Sequence, residues 1–208
     1  MCGGNYLKWL QPRQLIKICG EPIVARTIRL LRECGVDDIA ISTDDERFAT
    51  LGVPILTHNN EYLEADGCRT GCWVNGFYPM DEPACYILGD VVFSPEAIMI
   101  IVSMPVDRVE FFASAPPFAP EYIKDHAEPF AFKVHDQKLF REAINYCRDN
   151  ATTGIFGRHP IAWELWQVIK DKPVNEIDFY NYVAINDYTC DVDHEKDARR
   201  IEAVLCGS

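Results

Sequence analysis

The stretch Tyr86-Ile-Leu-Gly-Asp-Val-Val-Phe-Ser-Pro95 decides how the rest of the chain is read. Residues 84–88 form a short apolar run bounded by turn formers, the pattern of a strand buried on both faces, as in a parallel sheet. Gly89 and Asp90 follow it directly. A carboxylate at the carboxyl end of such a strand stands where open α/β sheets bind ligands, and where a divalent cation bridging phosphates can be held. The competing use of Asp90 is to cap the helix that begins at Ser94 and Pro95.

Upstream, Gly20-Glu21-Pro22 opens a helix with proline in its first turn. Val24, Ile28 and Leu31 recur at helical spacing and form one apolar stripe, while Arg26, Arg29 and Arg32 point to water. Gly35 ends that helix; a strand is expected over 36–42, a short helix to Leu51 and a further strand over 53–57. Short connections of this kind favour right-handed crossovers and a parallel sheet. Residues 58–80 are broken up by asparagines and glycines and give no clear element. Downstream, a helix over 95–102 and a strand over 108–113 precede Ala115-Pro-Pro-Phe-Ala-Pro120, which can continue neither helix nor ladder. Beyond it the pattern predicts a strand over 130–134, then a helix capped by Asp136 with Leu139, Phe140, Ala143, Ile144 and Cys147 on one face. A helix over 161–169, a strand over 182–185 and a closing helix over 194–205 complete the chain.

A net charge of -12 and a pI near 4.8 over 208 residues exclude duplex nucleic acid as the natural partner, because that contact rests on Lys and Arg neutralising phosphates. No apolar run reaches the ~20 residues that cross a bilayer, and the opening residues do not resemble a signal peptide. A soluble, cytoplasmic protein is the expectation. The nine cysteines are irregularly spaced, and Cys19, Cys34, Cys85 and Cys147 lie in apolar segments, so reduced core thiols are expected. Cys68 and Cys72, with His58 upstream, are too few and too widely spaced for a convincing zinc site.

The first fifteen residues combine a glycine pair, Gly3-Gly4, and Asn5 with cations at Lys8 and Arg13. Glycines let backbone amides approach a ligand and the cations suit a triphosphate, although a turn with two solvated charges explains the same residues. With Pro12-Arg13-Gln14-Leu15, Gly20-Glu21-Pro22-Ile23 and Gly35-Val36-Asp37-Asp38-Ile39 the stretch resembles the start of the GT-A-fold nucleotidyltransferases, which make nucleotide-activated sugars and alcohols. Ser42-Thr43-Asp44-Asp45 resembles the branch that makes CMP-activated acidic sugars. Leu88-Gly89-Asp90 resembles the family's metal-binding aspartate, and Cys190-Asp191-Val192-Asp193-His194-Glu195-Lys196-Asp197 resembles its Asp-Ile-Asp-Thr-Pro-Glu-Asp ending. The likeness covers residues 1–57, 84–102 and 184–204. Arg13 stands where the family has a phosphate-binding lysine; it keeps the charge, but the two side chains are not interchangeable.

The resemblance implies an α/β fold, a three-layer αβα and mostly parallel sheet, with a small α+β elaboration in the second half. The expected division is a nucleotide-binding core over 1–114, an acceptor-side elaboration over 115–183 and a return to the core over 184–208. It implies Mg²⁺ held by Asp90 with Asp191 or Asp193, and a nucleotide held by Gly3, Gly4, Asn5, Lys8 and Arg13. It also implies an acceptor pocket near Lys133, Arg158 and Trp163. Each has a structural alternative: Asp191 and Asp193 as a helix cap and turn, Lys133 as an edge-strand charge, Trp163 as core.

The implied reaction joins an NTP, with CTP favoured, to a sugar or polyol phosphate and releases pyrophosphate. The partners are therefore the NTP and the phosphorylated acceptor, with no nucleic acid and no membrane; a homodimer is compatible with the reading. Rival readings are a non-catalytic nucleotide-binding homologue, a CMP-acidic-sugar synthetase and a GT-A glycosyltransferase. The family opens with a strand of about five apolar residues before its glycine loop. Here Met1 and Cys2 precede Gly3, and a natural start further upstream is the expectation.

Overall fold

The computed structural model describes residues 11–57, 72–118, 124 and 126–207. In chain order the elements are β1 (Lys17–Ile18), β2 (Glu21–Pro22), α1 (Ile23–Glu33), β3 (Ile41–Ser42), β4 (Ile55–Leu56), α2 (Cys72–Asn75), β5 (Ala84–Ile87) and β6 (Val91–Val92). They continue with α3 (Pro95–Ser103), β7 (Val109–Ser114), β8 (Glu128–Val134), α4 (Gln137–Asp149), α5 (Ala162–Ile169), β9 (Val183–Ala184), β10 (Cys190–Asp191) and α6 (Glu195–Cys206).

Local chemistry explains the helix boundaries. Ser94 accepts a hydrogen bond from the Ala97 N–H at 2.8 Å and is followed by Pro95, so α3 starts where its first free amides are satisfied. Asp136 does the same for α4 through the Leu139 N–H at 2.9 Å. Helix α1 turns Val24, Ile28 and Leu31 inward, and Gly35 follows it at φ +80°, a conformation that a Cβ would strain.

The principal sheet has the order β5-β8-β7-β9. Strand β8 runs antiparallel to both β5 and β7, and only β7 and β9 are parallel. This corrects the expectation of a mostly parallel sheet. Strand β8 enters the middle of the sheet antiparallel to both of its neighbours. Pro129, which has no N–H to give, stands opposite Ala113 just past a register irregularity between Phe112 and Ala113. A separate parallel pair joins β3 to β4, and β6 pairs antiparallel with β10. Strand β5 is the edge of its sheet with Cys85 exposed, not a strand buried on both faces.

Phe111 and Phe112, neighbours on β7, point to opposite faces and seed two cores. On the Phe111 side, Phe132, Phe140, Trp163 and Trp166 pack beneath α4 and α5. On the Phe112 side, Phe93, Ile98 and Ile101 pack with Leu30 and Leu31 beneath α1 and α3. Helices thus cover both faces of a central mixed sheet. No helix among the described residues is long and apolar enough to cross a membrane.

The cysteines correct a second expectation. Cys147 is buried and free, but Cys19 is disulfide-bonded to Cys206 with 6.1 Å between their Cα atoms, and Cys34 and Cys85 are exposed. The turn between β1 and β2 and the end of α6 are brought together by packing that no local pattern announces. His58 and Cys68, and the side chain of Cys72, lie outside the described residues.

Candidate active site

Strand β5 delivers Gly89 and Asp90 to the sheet's end, and the chain continues at once into β6. The pairing of β6 with β10 sets Val91 opposite Asp191 and Val92 opposite Cys190, and the Val192 N–H donates to the Asp90 carbonyl at 3.0 Å. Residues a hundred positions apart in sequence are thereby side by side. The segment leading into β10 is held by α3's first turn: the Ser94 hydroxyl donates to Asp187, and the Ser94 N–H donates to the Thr189 hydroxyl at 3.0 Å.

Arg13 follows Pro12 in a short 3-10 turn and reaches into this junction. One terminal nitrogen lies 2.8 Å from the Asp90 carboxylate, and the other pairs with Asp193. Both carboxylates therefore converge on a single positive group. Burial pushes the Asp90 carboxyl above its ordinary value; Arg13 opposes the rise and the charge of Asp191 adds to it. Two acidic strand ends gathered around one cation form a place for positive charge, which is what a phosphate-bridging metal ion requires.

Asp191 belongs to a different group. Its carboxylate meets the His126 Nε2 at 3.9 Å, and His126, Glu128 and Asp191 each place a ligand atom within 4.8 Å of the others. Lys124 adjoins them, with its ammonium 3.3 Å from Glu128 and donating to the Thr189 carbonyl. Sequence reasoning missed His126, Glu128 and Lys124. No local signal marked them: His126 lies in a bend two residues ahead of β8, so strand alternation does not relate it to Glu128.

The other anticipated residues stand elsewhere. Lys133 donates to the carbonyls of Ile101, Val102 and Met104 at 3.2, 2.7 and 2.7 Å, and so closes the C-terminal end of α3. Arg158 donates from its Nε to the fully buried Glu164 at 2.5 Å. Trp163 is buried against Phe111, Phe179 and Tyr182, and its indole N–H finds no acceptor among the described residues. Lys133 thus caps α3 and Arg158 pairs with Glu164. Ser42 donates to the Gly76 carbonyl at 3.2 Å, tying β3 to the region after α2. Gly3, Gly4, Asn5 and Lys8 lie outside the described residues.

No family model matches the sequence, and no curated protein matches it. Solved structures do resemble the fold. One is a CTP:phosphocholine cytidylyltransferase from Streptococcus pneumoniae, at 15% identity and a TM-score of 0.50, covering 94% of this chain and 90% of that one. A second is described as a putative glucose-1-phosphate thymidylyltransferase from Bacillus anthracis, at 13% identity and a TM-score of 0.57, covering 94% and 87%. A third is the inositol-1-phosphate CTP transferase from T. maritima, at 12% identity and a TM-score of 0.52, covering 96% and 88%. With a central mixed sheet between helices and similarity spanning nearly the whole chain, the protein has the fold of the nucleotidyltransferases.

Proposed function

We propose that this chain is a nucleotidyltransferase that joins CTP to a small phosphorylated alcohol, a sugar or polyol phosphate, with release of pyrophosphate. The observation that carries the reading is the convergence of Arg13, Asp90 and Asp193 at one end of the sheet. Two of the three similar structures are a CTP:phosphocholine cytidylyltransferase and an inositol-1-phosphate CTP transferase, which supports the choice of base and acceptor class.

Asp90 and Asp193 suit Mg²⁺, since both are oxygen donors already facing a shared cation. Bound there, the ion would supply charge neutralisation at the phosphates. Arg13 has a second task within the same site: its planar fork matches phosphate oxygens as well as carboxylates, so it can hold the triphosphate when a metal satisfies the aspartates. The acceptor's phosphate oxygen, already ionised at neutral pH, attacks the α-phosphorus in line. An oxygen–phosphorus bond forms, the bond to the β-phosphate breaks, and pyrophosphate leaves with the electron pair. No general base is needed, so the residues contribute by positioning and charge stabilisation.

The test is a pyrophosphate-release screen of the four NTPs against sugar phosphates, polyol phosphates, phosphocholine and acidic sugars. Turnover with CTP and a phosphorylated acceptor is the expected result. Turnover only with an acidic sugar would replace the acceptor. Nucleotide binding without turnover would favour the second reading, a non-catalytic nucleotide-binding homologue. One observation speaks for that reading: the Arg13 guanidinium pairs with both aspartates, the positions a catalytic metal would need.

A further inference from the structure

We propose, resting on the reading of Asp90 and Asp193 as the metal site, that the disulfide between Cys19 and Cys206 is a redox latch on the contact of Arg13 with Asp193. It is closed when oxidised and opened by a small dithiol. Two ties join the same two stretches of chain. At one end Arg13, in the turn before β1, pairs with Asp193, two residues ahead of α6. At the other end Cys19, directly after β1, is bonded to Cys206, the last residue of α6. While the bridge stands, a guanidinium displaced from Asp193 cannot move far from it, which keeps its effective concentration there high.

Helix α6 depends on that bridge more than its length suggests. Ala198 and Ile201 are its buried apolar residues, and Leu205 adds partly buried surface against the cluster that holds Ile16 and Ile18. The Cys19 N–H also donates to Glu202 at 3.3 Å, at an exposed position. A helix in water owes its stability to the packing of its apolar face, and this face is narrow. The Arg13 side is held independently, since Gln14, Ile16 and Ile18 are buried and β1 pairs with β2. Asp193 also keeps its place near Asp90 without α6, because β10 pairs with β6 and the Val192 N–H donates to the Asp90 carbonyl at 3.0 Å. Opening the bridge therefore loosens α6 from the Arg13 segment and leaves the two aspartates together.

Both cysteines are exposed, so a dithiol can reach the bridge. The turn itself supplies a second sign. Cys19 at φ +51° and Gly20 at φ +84° form the two-residue connection between the paired Ile18 and Glu21. Both positions need positive φ, for which asparagine and glycine are the usual choices, so the turn gives no reason for a cysteine and the bridge does. In reduction a thiolate of the dithiol attacks one bridge sulfur, the Cys19–Cys206 bond breaks, and the dithiol's second sulfur closes its own disulfide. Two electrons pass to the bridge, and the two protons of the dithiol end on the cysteine thiols. The guanidinium must leave Asp193 for Mg²⁺ to reach it, so affinity for the ion rises once α6 is released.

Hydrogen exchange and Mg²⁺ titration calorimetry test the latch on the full chain in three forms: oxidised, treated with dithiothreitol, and as Cys206→Ser. The Asp197 and Ala198 amides, which close the first turn of α6, should exchange about tenfold faster in the reduced chain and in the variant, with the Val192 amide unchanged. The Mg²⁺ Kd should fall about threefold or more on reduction, and Asp193→Asn should remove that redox dependence. Faster exchange confined to the last turn of α6 would overturn the proposal, as would loss of Val192 protection, which marks general unfolding. Equal Mg²⁺ Kd values in the two redox states would overturn the latch and leave the metal reading standing. Absence of Mg²⁺ binding in both states would overturn the metal reading itself, and the latch with it.

Discussion

Arg13 and Asp90 meet at 2.8 Å, joining the turn after Pro12 to the end of β5, and the same guanidinium reaches Asp193. Removing it would take away the cation that the Asp90 and Asp193 carboxylates share. Arg13→Ala should therefore cost about 1–3 kcal/mol of unfolding free energy, the range between an exposed pair and a buried one. Millimolar Mg²⁺ should restore part of that loss if the aspartates bind metal. Urea unfolding of parent and variant, each with and without Mg²⁺, measures both effects; an Mg²⁺ response that also survives Asp90→Asn would place the ion elsewhere.

Lys133 separates a structural task from a binding one. Its ammonium serves three carbonyls at the end of α3, each a charge-assisted bond. Lys133→Met should lower stability by about 1–3 kcal/mol through the carbonyls left without a donor. The KM for the phosphorylated acceptor should stay unchanged in the pyrophosphate assay. A raised KM at unchanged stability would return Lys133 to the acceptor site.

The bridge between Cys19 and Cys206 spans a sequence separation of 187 residues. Loop-closure entropy for so long a span predicts a stabilisation of about 5 kcal/mol relative to the reduced chain. Reductant, or Cys206→Ser, should shift the urea midpoint downward accordingly. Peptide mapping under non-reducing conditions should recover the two cysteines in one linked fragment, and their recovery as separate free thiols would show the bridge unformed.

Asp136 sets an acid sensitivity with a defined sign. The Leu139 N–H, and then Arg108 at 2.7 Å, hold its carboxyl below the ordinary aspartate value. A depressed folded-state pKa means that the stabilisation is present above the unfolded value, near 3.8, and is lost as pH falls through the folded value. Acid unfolding of Asp136→Asn, which can still cap α4, should be less steep than the parent's below about pH 4. Identical acid profiles would mean that the carboxylate's charge contributes nothing there.

Local chemistry was enough to read α1, α3, α4 and the strand leading to Asp90 from the sequence. Each depends on spacing within a few residues: an apolar stripe at 3.6, a serine or aspartate before the first turn, a glycine after the last. The sequence also located Asp90, Asp191 and Asp193 as acidic groups at element ends, by likeness to a known ending. It did not determine which of them share a cation. That choice followed from the β6 and β10 pairing and the reach of Arg13, contacts made between segments far apart in the chain. The direction of β8 was likewise beyond local patterning, because a strand's alternation is the same whichever way it runs, and a proline-rich turn marks a change of path without its destination. The meeting of His126 and Glu128 with Asp191, and of Cys19 with Cys206, arose in the same way. Periodicity encodes which face of an element is buried; which distant element lies against that face is settled only when the whole core packs.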